Sequence, residues 1–148
     1  WDYEQYKHEV LQRDCDGSMP CYTGFHPHLL PEQNLYGACN VDAQDYLIEI
    51  KEKYSWNQDK TLDINSPGVF YFKNSSILTK YCHQMVNAND HINNEYYMSL
   101  PFNFLVQDGL KVWCPSNVQS FCQWGTPEDL DDYLYWSKKI HKFEGIKK

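Results

Sequence analysis

Glu52 and Lys53 stand side by side just past a short alternating run, Tyr46 to Ile50. The ends of strands in open α/β sheets are where ligands commonly sit. A lysine there can neutralise a phosphate, and the neighbouring glutamate can accept hydrogen bonds from sugar hydroxyls. Taken alone, such a pair is more often a solvated surface edge, and only its context raises it. His26-Pro27-His28 places two imidazoles two residues apart, but no third ligand of matching spacing lies nearby, so a polar loop is the better reading. Cys82-His83 does not make a nucleophile and base, because helical neighbours point about 100° apart and no orienting acid follows. The six cysteines, at 15, 21, 39, 82, 114 and 122, contain no C-x-x-C pair. They therefore lack the ligand spacing of a structural zinc site and read as free thiols in a reducing cytosol. Asn74-Ser75-Ser76 matches a glycosylation pattern that is common by chance and carries little weight. No G-x-x-x-x-G-K-[ST] loop, G-x-G-x-x-G turn or G-x-S-x-G elbow occurs, so whatever binds a nucleotide is expected outside this chain.

Composition narrows the setting of these residues. The 148 residues are 42% hydrophobic and 16% aromatic, enough for one globular domain spanning 1–148. No window approaches the roughly 18 apolar residues of a membrane span, and no basic stretch followed by an apolar one opens the chain. A cytoplasmic protein without a membrane span is expected. The net charge of −7, with basic residues clustered only at the tail, weighs against a nucleic-acid partner. The first residue is Trp1, and Trp1-Asp2-Tyr3-Glu4 runs straight into a helical pattern, as in a chain entered partway.

The elements that must position the pair follow from periodicity. Tyr3, Tyr6, Val10 and Leu11 recur at helical spacing behind Asp2, a plausible N-cap, and predict a helix to Arg13. Strands are expected over 18–25, 35–41 and 46–50, with the polar segment 54–65 as a loop. Val69-Phe70-Tyr71-Phe72 is a continuous apolar run, which predicts a strand buried on both faces and central to the sheet. Ile77, Leu78, Tyr81, Cys82, Met85 and Val86 form the stripe of a helix capped by Ser75 or Ser76 and ending near Asn87. Glu95 to Gln107 is helix-like, broken or kinked at Pro101 and stopped by Gly109. Two short strands are expected over 110–114 and 118–123. Thr126-Pro127-Glu128-Asp129 combines a hydroxyl N-cap, proline at the first helical position and acids in the first turn. In that last helix Leu130, Tyr133, Leu134 and Ile140 are expected to face the core, and Lys147-Lys148 to form a frayed tail. Strands alternating with helices, without repeats or linkers, predict one α/β sheet domain.

Read in order, Glu52-Lys53, Ser66-Pro67-Gly68-Val69-Phe70-Tyr71-Phe72, Asn94-Glu95-Tyr96-Tyr97, Asn103 with Gly109, and Trp124-Gly125-Thr126-Pro127-Glu128-Asp129-Leu130 resemble the sugar-phosphate nucleotidyltransferases. The likeness runs from Trp1 to about Trp136, and it is the ordered set rather than any one motif that carries it. The resemblance implies a nucleotide-diphospho-sugar transferase-like fold, a three-layer α/β/α sandwich with a mixed sheet. It implies transfer of a nucleotidyl group from an NTP to a sugar 1-phosphate, with release of pyrophosphate and assistance from Mg²⁺. Carried over by position, Lys53 would be the catalytic contact to the sugar phosphate and Glu52 the partner of the sugar hydroxyls. Gly68 would let the sugar approach the backbone, and Tyr36 and Gly37 would sit by the sugar pocket. Glu95 is the nearest acid for a metal role.

The sequence departs from the family pattern in its first part. The G-x-G-T-R-like loop that holds the triphosphate is not found, nor the upstream strand with the first metal-binding aspartate. The stretch a few residues after Glu95, where better known branches carry a second metal-binding aspartate, reads Met98-Ser99-Leu100-Pro101, and Lys53 is not followed by proline. The chain is thus expected to be the C-terminal, sugar-binding part of such an enzyme, with the nucleotide-binding part missing and no turnover by itself. The alternative is a non-catalytic module of the same fold that binds a sugar phosphate or a partner chain, homo-oligomerisation being one way to cover an incomplete sheet.

Overall fold

The computed structural model describes residues 1–26, 29 and 31–146. Pro27 and His28, and the Lys147-Lys148 tail, lie outside the described residues, and so do the readings made of them. Helix α1 (Tyr3–Arg13) starts where the Asp2 carboxylate accepts the Gln5 N–H at 2.9 Å, satisfying one of the donors a helix start leaves unpaired. It buries Tyr6 and Val10 alone. Tyr3 and Leu11 are exposed, so α1 meets the body along one narrow ridge. That ridge is held by a short relay: the Tyr6 hydroxyl donates to Ser18 Oγ at 2.8 Å, and Ser18 donates to the Trp113 carbonyl at 2.7 Å.

The strands are β1 (Gly17–Ser18), β2 (Gly37–Val41), β3 (Leu47–Glu52), β4 (Ile64–Asn65), β5 (Tyr71–Phe72) and β6 (Val112–Trp113). One sheet has the order β5-β1-β6, with β1 antiparallel to β5 and parallel to β6. The other, β3-β2-β4, is antiparallel throughout, and its register sets Gly37 opposite Glu52 and Cys39 opposite Ile50. Bridges between Tyr22 and Asn65 and between Tyr46 and Trp113 join the two sheets, as does the Cys114 N–H on the Asp45 carbonyl at 2.8 Å. Helix α2 (Ser75–Asn87) packs on α3 (Pro101–Gln107), which in turn lies against β3. The main core, including Met19, Ile50, Tyr81, Phe102, Leu105 and Val112, lies where these helices meet the sheets. The architecture is a mixed α/β fold with small sheets. Among the described residues no helix is long and apolar enough to cross a membrane.

Several expectations are corrected. The 69–72 run is not a central strand: only Tyr71–Phe72 pair, half-buried, at the edge of their sheet. Its hydrophobicity serves two separate cores, because Phe72 stacks on Phe102 with Phe70 tilted beside it, while Tyr71 packs in the other core with Cys15 and Trp113. The expected 18–25 strand gives way to β1, Gly17–Ser18, because Pro20 has no N–H to donate, although the Met19 and Cys21 N–H groups still bond the Trp113 and Pro115 carbonyls. The second strand starts late, at Gly37, because the Asn34 side chain takes the Tyr36 N–H at 3.1 Å in a local turn. The segment 54–65 is not wholly loop, since it ends in β4.

The helical segments are corrected as well. Asn74, not a serine, caps α2: its side chain accepts the Ile77 N–H at 2.9 Å. Residues 95–100 are not helical, and Pro101 opens α3 rather than kinking a longer helix, as its fixed φ and missing N–H favour. Residues 118–123 form no strand; the Val118 N–H bonds Cys21, but no ladder develops. Helix α4 (Pro127–Ile146) begins as expected, with Thr126 and Asp129 bonding each other's backbone N–H at 3.2 Å. Yet Leu130, Tyr133, Leu134 and Ile140 are 41–55% exposed rather than in the core.

Candidate functional site

The site is built where β2 and β3 begin and end. Because Gly37 faces Glu52 in the register, the glutamate side chain folds back across the glycine: a Cβ at Gly37 would stand 2.6 Å from Glu52 Oε1. Glycine is what lets the carboxylate lie there. The buried Ser99 donates its hydroxyl to Glu52 Oε1, closing the other side. Burial pushes the Glu52 carboxyl above the usual glutamate range, and the Ser99 hydrogen bond opposes this only in part.

Strand β3 is an edge strand, so Ile50 presents an N–H and a carbonyl that no strand pairs. Asn103 from α3 pairs both, accepting from the N–H at 2.8 Å and donating to the carbonyl at 2.9 Å, as a neighbouring peptide would. That clamp fixes the strand end carrying Glu52. Lys53 then turns the chain sharply, with φ at 54° and its N–H on the Tyr36 carbonyl at 3.0 Å. Its ammonium lies 5.4 Å from the centre of the Tyr97 ring. The Tyr97 hydroxyl beside it holds its pKa above the ordinary lysine value. Tyr97 in turn donates to Glu95 Oε2 at 2.6 Å.

These residues surround a cleft of about 270 Å³. Of the residues expected in the site, Tyr36, Gly37, Glu52 and Gly68 line it. Lys53 and Glu95 stand at its margin, linked to it through Tyr97, which is a lining residue. Gly68 has φ at 86°, a conformation that suits glycine, and no atom lies within 4 Å of where a Cβ would be, so its backbone is open to the cleft. Burial pushes the Tyr36 phenol up to about 12, with Asp129 adding to the effect. Leu35, Ser66, Phe70, Tyr97, Met98 and Ser99 complete the wall. Ser66 and Phe70 belong to a segment the sequence singled out, whereas Ser99 carried no signal, because its stretch looked helical.

Chemically, the cleft offers a cation at its mouth and, inside, a carboxyl biased toward its neutral form. That combination suits an anionic group joined to a hydroxyl-rich one. For a divalent ion, Glu95 offers one carboxylate. Mg²⁺ is commonly held by one or two carboxylates together with substrate phosphates, so Glu95 fits as one part of such a shell.

Comparison with known proteins bears on the fold. The structure is similar to the crystal structure of the nucleoside-diphosphate-sugar pyrophosphorylase from Vibrio cholerae RC9, with a TM-score of 0.65 and 18% sequence identity. The match covers 84% of this chain and 48% of that one, so this chain spans about half the length of that structure. No protein-family model and no curated protein matches the sequence.

Proposed function

We propose that the cleft binds a sugar 1-phosphate, and that the chain is the sugar-binding part of a sugar-1-phosphate nucleotidyltransferase in a three-layer α/β/α setting. The observation that carries this reading is the Glu52 carboxyl held between Gly37 and Ser99, one residue from the Lys53 ammonium. Glu52 Oε1 is engaged by Ser99, which leaves Oε2 to accept from a sugar hydroxyl. Lys53 neutralises the phosphate at the mouth, and the open backbone at Gly68 lets the ring approach.

In the complete reaction an oxygen of the sugar phosphate attacks the α-phosphorus of the NTP in line, and pyrophosphate leaves. Catalysis of such a transfer is positioning and charge neutralisation. Lys53 serves both, by fixing the phosphate and by reducing its repulsion from the triphosphate. Mg²⁺ would supply further neutralisation of phosphate charge, with Glu95 as one of its ligands. The sequence offers no glycine-rich phosphate loop, so the 148 residues alone are expected to release no pyrophosphate; measurable release from the purified chain would overturn that part.

The test is calorimetric titration with a panel of sugar 1-phosphates. Wild type is expected to bind at least one, and Lys53→Ala and Glu52→Ala each to lose it. No binding by wild type, or binding that both variants retain, would overturn the assignment. The second reading, a self-associating module, is favoured by the exposed apolar stripe of α4, Leu130, Tyr133, Leu134 and Ile140. It predicts a dimer in sedimentation that Leu134→Glu dissociates.

A further inference from the structure

Cys21, Cys39 and Cys114 are far apart in sequence, yet the fold brings their three Sγ atoms within 4.8 Å of one another. Cys21 Sγ and Cys39 Sγ are 3.9 Å apart. Each sulfur arrives on a different segment. Cys39 is in the middle of β2, Cys114 directly follows β6, and Cys21 runs beside that strand with its N–H on the Pro115 carbonyl at 2.8 Å. All three are buried, at 0%, 3% and 0% exposure, among Met19, Ile50, Phe102 and Val112.

The spacing has a coordination meaning. Three sulfurs each about 2.3 Å from one ion stand about 4 Å apart in a trigonal plane, close to what the fold supplies. The donor type selects the ion. Thiolates favour thiophilic metals such as Zn²⁺ and Cu(I), whereas Mg²⁺ and Ca²⁺ prefer oxygen. Among the described residues no histidine or carboxylate joins the set. We propose that Cys21, Cys39 and Cys114 form a buried three-sulfur site for one soft d¹⁰ cation, which ties the two sheets together from the inside.

On binding, the thiols give up protons to solvent and the ion takes their place between the sulfurs. The cross-link joins β2 of one sheet to the segments that follow β1 and β6 of the other. It also stiffens β2 two residues beyond Gly37, on the strand face shared with the cleft. The site stands independently of the sugar-phosphate reading, since none of its ligands lines the cleft.

The test uses the full chain, reduced and stripped with a chelator, then titrated anaerobically with Zn²⁺ and, separately, with Cu(I). One ion per chain retained through gel filtration in either arm, with a raised melting temperature and protection of the three thiols from alkylation, is the expected result. The two arms identify which cation is preferred. Cys39→Ala should lose the ion, while Cys122→Ser, at an exposed cysteine, should keep it. X-ray absorption of the loaded wild type should show a shell of three sulfurs, which decides the matter even if Cys39→Ala does not fold. Retention of neither metal, a shell of nitrogen or oxygen, loss of the ion in Cys122→Ser, or a Cys21–Cys39 disulfide in freshly purified protein would overturn the proposal.

Discussion

Replacing Gly37 with alanine adds a methyl group 2.6 Å from Glu52 Oε1, 3.1 Å from its Cδ and 3.3 Å from Oε2. Two responses are open to the protein. The backbone can shift, and overpacking of this kind typically costs about 1–3 kcal/mol. Alternatively the carboxylate can swing away, giving up the Ser99 hydrogen bond, at about 1.5 kcal/mol, the low end for a hydrogen bond to a charged group. The swing is the cheaper path, because the atoms in the way are the far end of a side chain. Gly→Ala at a compatible φ also narrows the unfolded ensemble, which returns about 0.4–1 kcal/mol. The net loss is therefore modest, about 0.5–1 kcal/mol, or a fall of a few degrees in Tm.

The effect on binding should be larger than the effect on stability. On the proposed reading a displaced Glu52 would no longer present Oε2 to a sugar hydroxyl, and losing one such contact weakens affinity about tenfold. Thermal melts and calorimetric titration of wild type, Gly37→Ala, Glu52→Ala and the double variant check the reasoning. In the double variant the clash has no partner, so its stability loss should be smaller than the sum of the two single losses. Wild-type Tm and affinity in Gly37→Ala, or strictly additive stabilities in the cycle, would refute it.

Glu52→Gln tests the electrostatics. Because burial raises the native carboxyl's pKa, Glu52 contributes stability that is fully present below the ordinary glutamate value and lost as pH rises through the elevated one. Urea midpoints of wild type minus Glu52→Gln should therefore fall as pH rises above the ordinary glutamate value, and a flat or rising difference would contradict the assignment. Asn103→Ala leaves the Ile50 N–H and carbonyl without their partner and should cost about 1–3 kcal/mol in chemical denaturation, with weaker sugar-phosphate binding as β3 loosens. Asn74→Ala should cost about 1 kcal/mol, whereas Ser75→Ala should be nearly neutral; the reverse order would return the α2 cap to a serine. Lys53→Gly relieves a left-handed non-glycine residue, so its Tm should hold or rise while sugar 1-phosphate binding is lost.

Local chemistry was the part legible in the residues themselves. Helices α1, α2 and α4 begin close to where Asp2, Asn74-Ser75 and Thr126-Pro127 announce them, because a cap is decided by side chains within three residues of the backbone they bond. Glu52 and Lys53 were found at a strand end for the same reason, since alternation locates a strand wherever it later packs. Strand partners were another matter. The 69–72 run has the composition of a central strand, but its place at an edge follows from Phe102 on one side and Trp113 on the other, neither of which is near it in sequence. The exposed apolar face of α4 shows the same limit, because a periodic stripe specifies a face and not what covers it.

By itself, then, the sequence determined the mixed α/β class, the region where α1, α2 and α4 start and the strand end that carries Glu52 and Lys53, all of which depend on neighbours along the chain. Only the tertiary structure decided which of them meet. Antiparallel register lays Glu52 over Gly37, a loop that looked helical brings Ser99 to the carboxylate, and three cysteines without motif spacing gather their sulfurs from separate segments. Contacts of that kind are set by packing between distant segments, where the cost of closing a long loop is met by apolar surface buried elsewhere, and no spacing along the chain records them.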